Sequence, residues 1–172
     1  HRHFLYLPGP KYNLSQTRRH AGIMDALSEA NVPASNIREI DYHTVFGSTA
    51  ESTSSYKPYE ELFFPVNYTA VIGFNDLQSY SAMEILQKKG YRIPEDISLI
   101  SFDHLRKTHT YLPPLTSIAD NSEKSIADTA VSILLDKIRN PSSEISSKVL
   151  PVSIFDGHTT GPINETFAHS FE

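Results

Sequence analysis

Short apolar segments alternate along this chain with longer segments in which apolar residues recur every three or four positions. The short segments have the composition of buried β-strands and cover residues 4–7, 37–42, 70–74 and 97–102. The longer segments have helical periodicity and cover residues 15–30, 75–89 and 123–139. Strands that alternate with helices indicate parallel pairing, because each helix carries the chain back across the sheet. The pattern therefore predicts an α/β fold, with a doubly wound and mainly parallel sheet.

The segments between these elements are more polar. Residues 47–55 form a Ser/Thr-rich loop, and a short helix is predicted over 59–64, where Glu60 and Glu61 fit a solvated helix face. Residues 148–155 predict a last strand, either antiparallel or at the sheet edge, and 157–172 predict a tail of low structural content.

Composition narrows the class of protein. With 172 residues, 39% of them hydrophobic and 20% charged, the chain suits a globular domain with a real core. It has no cysteine, which excludes disulfides and thiol catalysis, and a net charge of −5 that disfavours a nucleic-acid surface. The chain begins at His1 without Met, and we interpret it as a fragment or processed product.

Polar residues follow several of the predicted strands. The carboxyl ends of parallel strands form one rim, where open α/β sheets bind ligands. The rim residues are Pro8 to Lys11, Tyr42-His43, Asn75-Asp76 and Asp103-His104, and Arg19 can face the same crevice from the first helix. Carboxylates, an amide and a guanidinium suit a polyhydroxylated ligand, and Tyr12, Tyr42 or Phe46 could cover a sugar ring.

Structural roles compete for the same residues. Ser15 and Asp76 also fit helix N-caps, Asp103 could cap a turn, and Arg19 could be a solvated helix residue.

The sequence shows no motif for a metal or a nucleotide cofactor. The eight histidines show no i,i+4 metal pair, and no P-loop, G-x-S-x-G or G-x-G-x-x-G motif is present. We therefore expect no metal and no cofactor, and we interpret the segment 157–160 (GHTT) as a loop.

The segment 91–103, YRIPEDISLISFD, with Gly90 before it, resembles the G-[LY]-x-[VI]-P-x-D-[VI]-S-[VL]-[VI]-G-[FY]-D signature of the lactose/galactose repressor (LacI/GalR) family of bacterial transcription regulators. Four further segments resemble family motifs in the same order: HRHFLYL at 1–7, RHAGIMDAL at 19–27, TAVIGFND at 69–76 and PPLTSI at 113–118. The resemblance runs from His1 to about Thr160.

The resemblance implies a periplasmic-binding-protein-like core of two lobes behind a DNA-binding head. Residues 1–116 would be the C-terminal lobe, 117–140 a crossover helix segment of the N-terminal lobe, 148–160 a return strand of the C-terminal lobe and 161–172 a tail. The head and most of the first lobe would be absent from this chain.

The family's ligand contacts carry over onto Ser15, Arg19, Asn75 and Asp103, and Asp120 falls at a position that is often Gln. The ring-stacking position corresponds to an aromatic of the Tyr42–Phe46 loop, for which Phe46 is the candidate. The chain departs from the family pattern at four positions, and these differences affect which effector is expected. Ser101 and Ser81 replace glycines, His104 replaces a frequent Asp, and Gly157 replaces Arg.

The resemblance also implies a homodimer interface on the helix that carries Leu77, Tyr80, Ser81 and Glu84. The second apolar face of that helix supports this independently, and the alternative is that Tyr80 packs against a neighbouring loop.

The expected function is effector binding and dimerisation in a cytoplasmic, sugar-responsive regulator that is not an enzyme. The alternatives are an exported solute-binding protein and a small α/β enzyme such as a sugar hydrolase.

Overall fold

A computed structural model of the chain describes residues 1–40, 59–105, 113–122, 125–144 and 147–171. The strands are β1 (Phe4–Leu7), β2 (Ile37–Glu39), β3 (Ala70–Gly73), β4 (Ser98–Phe102), β5 (Thr116–Asp120) and β6 (Val152–Phe155). The α-helices are α1 (Leu14–Glu29), α2 (Asp76–Lys88), α3 (Ile126–Arg139) and α4 (Glu165–Ala168). Short 3-10 turns cover Ala34–Asn36, Tyr59–Phe63 and His169–Phe171.

The six strands form one sheet in the order β2-β1-β3-β4-β5-β6. The first five strands are parallel and β6 is antiparallel to β5, with Ile118 opposite Ile154. This confirms the predicted α/β class and the mainly parallel sheet. The strand order reverses between β1 and β3, and doubly wound sheets bind ligands at such a switch point.

The core lies between the sheet and α2. Leu5, Val71 and Leu99 on three adjacent strands are fully buried, as are Met83 and Leu86 on the facing side of α2. Continuous apolar strands are expected where both faces of a parallel sheet are covered. The packing places the carboxyl ends of β1, β3, β4 and β5 along one edge.

Two stretches bear on the expected division of the chain. Ser117, the expected start of the crossover segment, lies inside β5, whose residues pair with both β4 and β6, and the division itself remains a prediction. The expected tail contains α4, and Thr159 before it is fully buried. Thr159 Oγ1 donates to the Leu99 carbonyl oxygen at 2.7 Å and accepts from Thr116 N–H at 2.9 Å. These bonds tie the segment after β6 to the centre of the sheet.

Helix α3 differs from α2 in its exposure. Its apolar residues Val131, Leu134, Leu135 and Ile138 are all exposed. None of the helices in the described ranges is both long enough and apolar enough to cross a bilayer.

Candidate functional site

Arg19 extends from α1 to the sheet edge at the switch between β1 and β3. Its Nη1 donates to the Phe74 carbonyl oxygen and its Nη2 to Asp103 Oδ1, each at 2.6 Å. The ring centroids of Phe74 and Phe102 lie 4.8 and 4.7 Å from the guanidinium carbon. Guanidinium groups stack favourably on aromatic rings, so the two rings and the two bonds hold Arg19 in one orientation.

Asp103 follows β4 directly and presents its carboxylate at the same edge. Its backbone φ is +97°, and its N–H donates to the Ile118 carbonyl oxygen at 2.9 Å. The Asp103 side chain is 37% exposed and that of Arg19 is 24% exposed. The ion pair therefore has an open side from which a ligand could approach the carboxylate.

Asn75 and Asp76 occupy different roles at the start of α2. Asn75 is the N-cap, since its Oδ1 accepts from Gln78 N–H at 3.0 Å. The prediction that Asp76 caps the helix is wrong. Its carboxylate, in a residue only 2% exposed, accepts from Leu105 N–H at 2.5 Å and from Ser117 Oγ at 2.8 Å.

The start of α1 differs from the prediction in the same way. Its N-cap is Asn13, whose Oδ1 accepts from Ser15 N–H at 2.8 Å and Gln16 N–H at 3.3 Å. The N-cap role considered for Ser15 is therefore wrong, and Ser15 is exposed. Gln16 is buried and its Oε1 accepts from Tyr6 Oη and Gly9 N–H, which fixes the loop after β1.

A cavity of about 590 Å³ adjoins the ion pair. Arg19, Asp103 and Asp120 lie on its wall, and Asp120 accepts from Ser122 Oγ at 2.8 Å. The remaining lining is largely apolar and comes from the end of β4, from β5, from α3, and from the start of β6 with the segment before it: Phe102, Ile118, Ala119, Ile126, Thr129, Ala130, Ile133, Lys148, Leu150 and Val152. An apolar wall with a few convergent polar groups is typical of a small-molecule site.

The structure thus brings three of the six candidate ligand residues, Arg19, Asp103 and Asp120, to the wall of one cavity. Asn75 lines a different cleft, of about 240 Å³, together with Phe74, Leu77 and Ser81. Phe46 lies outside the described residues, as do Tyr42 and His43. Tyr12, another aromatic candidate, is 98% exposed. The binding roles of all six remain predictions.

The charges on the cavity wall are balanced. Arg19 and Lys148 carry positive charge, while Asp103 and Asp120 carry negative charge.

Tyr6 on β1 is buried beneath the rim, next to Gln16. Burial raises the pKa of Tyr6, although its hydrogen bond with Gln16 opposes this shift. Among the residues that the structure describes, no group of three or more His, Asp or Glu side chains could hold a metal ion.

The predicted dimer residues on α2 do not share one surface. Leu77 is 54% exposed, and Ser81 and Glu84 are half-buried. Tyr80 is buried, and burial raises its pKa, against the effect of a backbone hydrogen bond with Leu115. Leu77, Ser81 and Glu84 therefore offer accessible surface, whereas Tyr80 packs inside the chain beside the segment that precedes β5.

Comparison with known proteins identifies the family. A family model described as a periplasmic binding protein-like domain matches residues 1–160. The HTH-type transcriptional repressor PurR of Escherichia coli is 33% identical over 150 residues, which cover 86% of this chain and 41% of that protein. The chain belongs to the LacI/GalR family. PurR of Shigella boydii shows the same identity and coverage, so this LacI/GalR chain spans less than half the length of these relatives.

Solved structures of the family share the fold. A dimeric Lac repressor with an 11-residue C-terminal deletion superposes with a TM-score of 0.73 at 25% identity, covering 95% of this chain and 57% of that one. A LacI family regulator from Enterococcus faecium with bound ribose has a TM-score of 0.71 at 24% identity, with the same coverage. The periplasmic-binding-protein-like fold expected from the sequence is confirmed.

Sequence reasoning missed several residues that build the site. Phe74 and Phe102 read as strand residues, yet their rings contact the Arg19 guanidinium. Gln16 gave no signal because a buried glutamine in a helix cannot be distinguished from an exposed one by periodicity. One sequence signal could have identified the two phenylalanines as site residues. Phe74 directly precedes the rim residue Asn75, and Phe102 directly precedes the rim residue Asp103.

Proposed function

We propose that this chain is the effector-binding and dimerising part of a bacterial DNA-binding transcription regulator that responds to a small molecule, a sugar or a sugar phosphate. The observation that carries the proposal is the Arg19–Asp103 pair at 2.6 Å, on the wall of a 590 Å³ cavity at the sheet's switch point. The curated relatives are named as repressors, which favours a regulator over an exported binding protein.

The groups on the wall suit a hydroxylated ring. The Asp103 and Asp120 carboxylates accept hydrogen bonds from hydroxyl groups, and Arg19 supplies donors in a fixed fork. The apolar side chains of Ile118 and Ile133 would cover the face of a sugar that carries only C–H groups. This division of polar edge and apolar face supports a polyhydroxylated ligand.

Regulation would follow from differential binding. In the proposed cytoplasmic protein, the ligand binds between this lobe and a second lobe, and favours one arrangement of the two. A homodimer would convey that arrangement to DNA-reading heads that precede this chain. No catalytic step is part of the proposal.

The first experiment is calorimetric titration of a defined panel into the full-length protein. The panel contains D-ribose, D-xylulose, cellobiose, D-glucose and glucose 6-phosphate; the first three resemble ligands held in solved structures of this fold. Asp103→Ala and Arg19→Ala should each weaken binding by at least about tenfold, since each removes a charged hydrogen-bonding partner. Arg18→Ala, an exposed neighbour on α1, is the matched control.

The outcomes separate the parts of the proposal. A saturable ligand whose affinity falls in both site variants and stays unchanged in Arg18→Ala supports the assigned site. Equal affinity in the wild type and both variants would remove Arg19 and Asp103 from the site. No binding across the panel would contradict a sugar effector of these classes.

The dimer is tested by light scattering of the full-length protein. We propose that Leu77, Ser81 and Glu84 contribute to the interface directly and that Tyr80 supports α2 from inside. Leu77→Asp places a charge on the exposed apolar side chain and should shift a dimer towards monomer. A wild-type protein that is monomeric at micromolar concentration would contradict the proposal.

A further inference from the structure

The loop after β4 holds an unusual backbone conformation. Asp103 and His104 are consecutive residues with positive φ, +97° and +48°. Residues that carry a Cβ seldom adopt this region, and two in succession persist only where surrounding contacts enforce them. The loop also carries the carboxylate that faces Arg19, so its conformation sets the geometry of the candidate site.

Three successive backbone N–H groups of this loop are hydrogen-bonded, and two of these bonds lead to Asp76. Asp103 N–H donates to the Ile118 carbonyl oxygen at 2.9 Å and His104 N–H to Ser117 Oγ at 3.0 Å. Leu105 N–H donates to Asp76 Oδ2 at 2.5 Å, and Ser117 Oγ donates to Asp76 Oδ1 at 2.8 Å. One carboxylate therefore holds both Leu105 and the serine that holds His104.

Asp76 is suited to this role by its environment. It is buried together with Ser117, so water does not compete for these bonds. It also lies in the first turn of α2, where the helix dipole favours a negative charge. Because Asn75 already caps the helix, the Asp76 carboxylate is available to the loop.

We propose that Asp76 is a positioning residue, which acts through Leu105 and Ser117 to hold the loop that presents Asp103 to Arg19 and the ligand. The proposal rests on the proposed function for its biological meaning. The buried side chain of Asp76 also connects the loop that carries Asp103 to α2. The ion pair between Arg19 and Asp103 is then a consequence of the loop conformation and not its cause.

Hydrogen–deuterium exchange in the full-length protein tests the proposal without any ligand. Asp76→Asn replaces one acceptor oxygen with an NH₂ group, and exchange of the His104 and Leu105 amides should accelerate by at least about tenfold. Exchange in β1 and β3 should stay within about twofold of the wild type. Ser117→Ala is a second, smaller change, which should accelerate exchange at His104 and would serve if Asp76→Asn does not fold.

Two variants serve as controls. Ser79→Ala removes a buried hydroxyl at the same end of α2, bonded to Ser101 and Asn75 and not to the loop, so exchange at His104 and Leu105 should not change. Asp103→Ala breaks the ion pair but leaves the Asp76 bonds, so both amides should also stay protected. Unchanged exchange in Asp76→Asn, uniform acceleration across the sheet, or equal acceleration in Asp103→Ala would overturn the proposal.

The sugar panel supplies a functional measurement. Any panel sugar that binds the wild type should lose at least about fivefold in affinity in Asp76→Asn and stay within about twofold in Ser79→Ala. An affinity that is unchanged in Asp76→Asn would overturn the positioning role. If no panel sugar binds, the proposed sugar effector is contradicted, while the exchange experiment still decides the role of Asp76.

Discussion

Arg19 Nη2 and Asp103 Oδ1 lie 2.6 Å apart although the two residues are 84 positions apart in the sequence. The two side chains approach from different elements, α1 and the loop after β4. They meet because β1, β3 and β4 are adjacent parallel strands whose carboxyl ends share one edge. The pair therefore depends on the correct order of the strands as much as on the residues themselves.

The backbone strain at Asp103 can be separated from its ion pair with two variants. Asp103→Ala and Asp103→Gly both remove the carboxylate, but only glycine adopts φ near +97° without steric cost. We expect the Gly variant to have a free energy of unfolding about 1 kcal/mol higher than the Ala variant. Urea denaturation of the full-length protein measures this difference. Equal stability of the two variants would show that the loop is unstrained.

Gly73 at the end of β3 is required by close packing against α2. A Cβ at this position would lie 1.9 Å from Ser79 Oγ. Gly73→Ala should lower the free energy of unfolding by about 1–3 kcal/mol, the range found for overpacked cores. In a Ser79→Ala background the added cost should fall below about 1 kcal/mol, because the clashing atom is gone. Equal costs in both backgrounds, measured by urea denaturation, would exclude this contact as the cause.

Asp96 should contribute a pH-dependent part of the stability. Hydrogen bonds from Arg92 hold the pKa of its carboxyl below the usual range, and Asn164 Nδ2 also donates to it at 3.1 Å. A folded-state pKa below the unfolded value gives stabilisation that is present above the unfolded pKa, about 3.9, and is lost as pH falls through the folded pKa.

We therefore expect wild-type protein to lose more stability than Asp96→Asn when the pH is lowered from about 5 to about 2. At neutral pH the variant should be the less stable of the two. Glu95→Gln, an exposed neighbour, is the control and should follow the wild type. Parallel pH profiles for wild type and Asp96→Asn in denaturant titrations would rule out this linkage.

Thr159 should contribute to stability through its hydroxyl. Thr159→Val keeps the shape but removes the donor to the Leu99 carbonyl oxygen and the acceptor for Thr116 N–H, both in a buried setting. We expect a loss of about 1–3 kcal/mol in the free energy of unfolding. Thr166→Val, at an exposed position of α4, is the control. A similar small effect of both substitutions would show that the segment after β6 is weakly held.

The sequence by itself determined the fold class, because its signals are local. Apolar strands and 3.6-residue periodicity placed β1, β3, β4, α1 and α2 to within about two residues, the usual uncertainty of element ends. The segment 91–103 also showed its strand and terminal acid in one short motif. Family membership followed from five such motifs in order and was confirmed by the comparisons.

Tertiary structure decided what depends on contacts between distant segments. The sequence of β5, TSIAD, has little strand character of its own and became a strand because β4 and β6 pair with it. Asn13 and Ser15 have similar propensities for the N-cap position, as do Asn75 and Asp76. The path of the backbone at each helix start decides which residue of each pair is the N-cap. The partners of Arg19 and the buried bonds of Asp76 likewise join residues far apart in the chain, and no local pattern records such contacts.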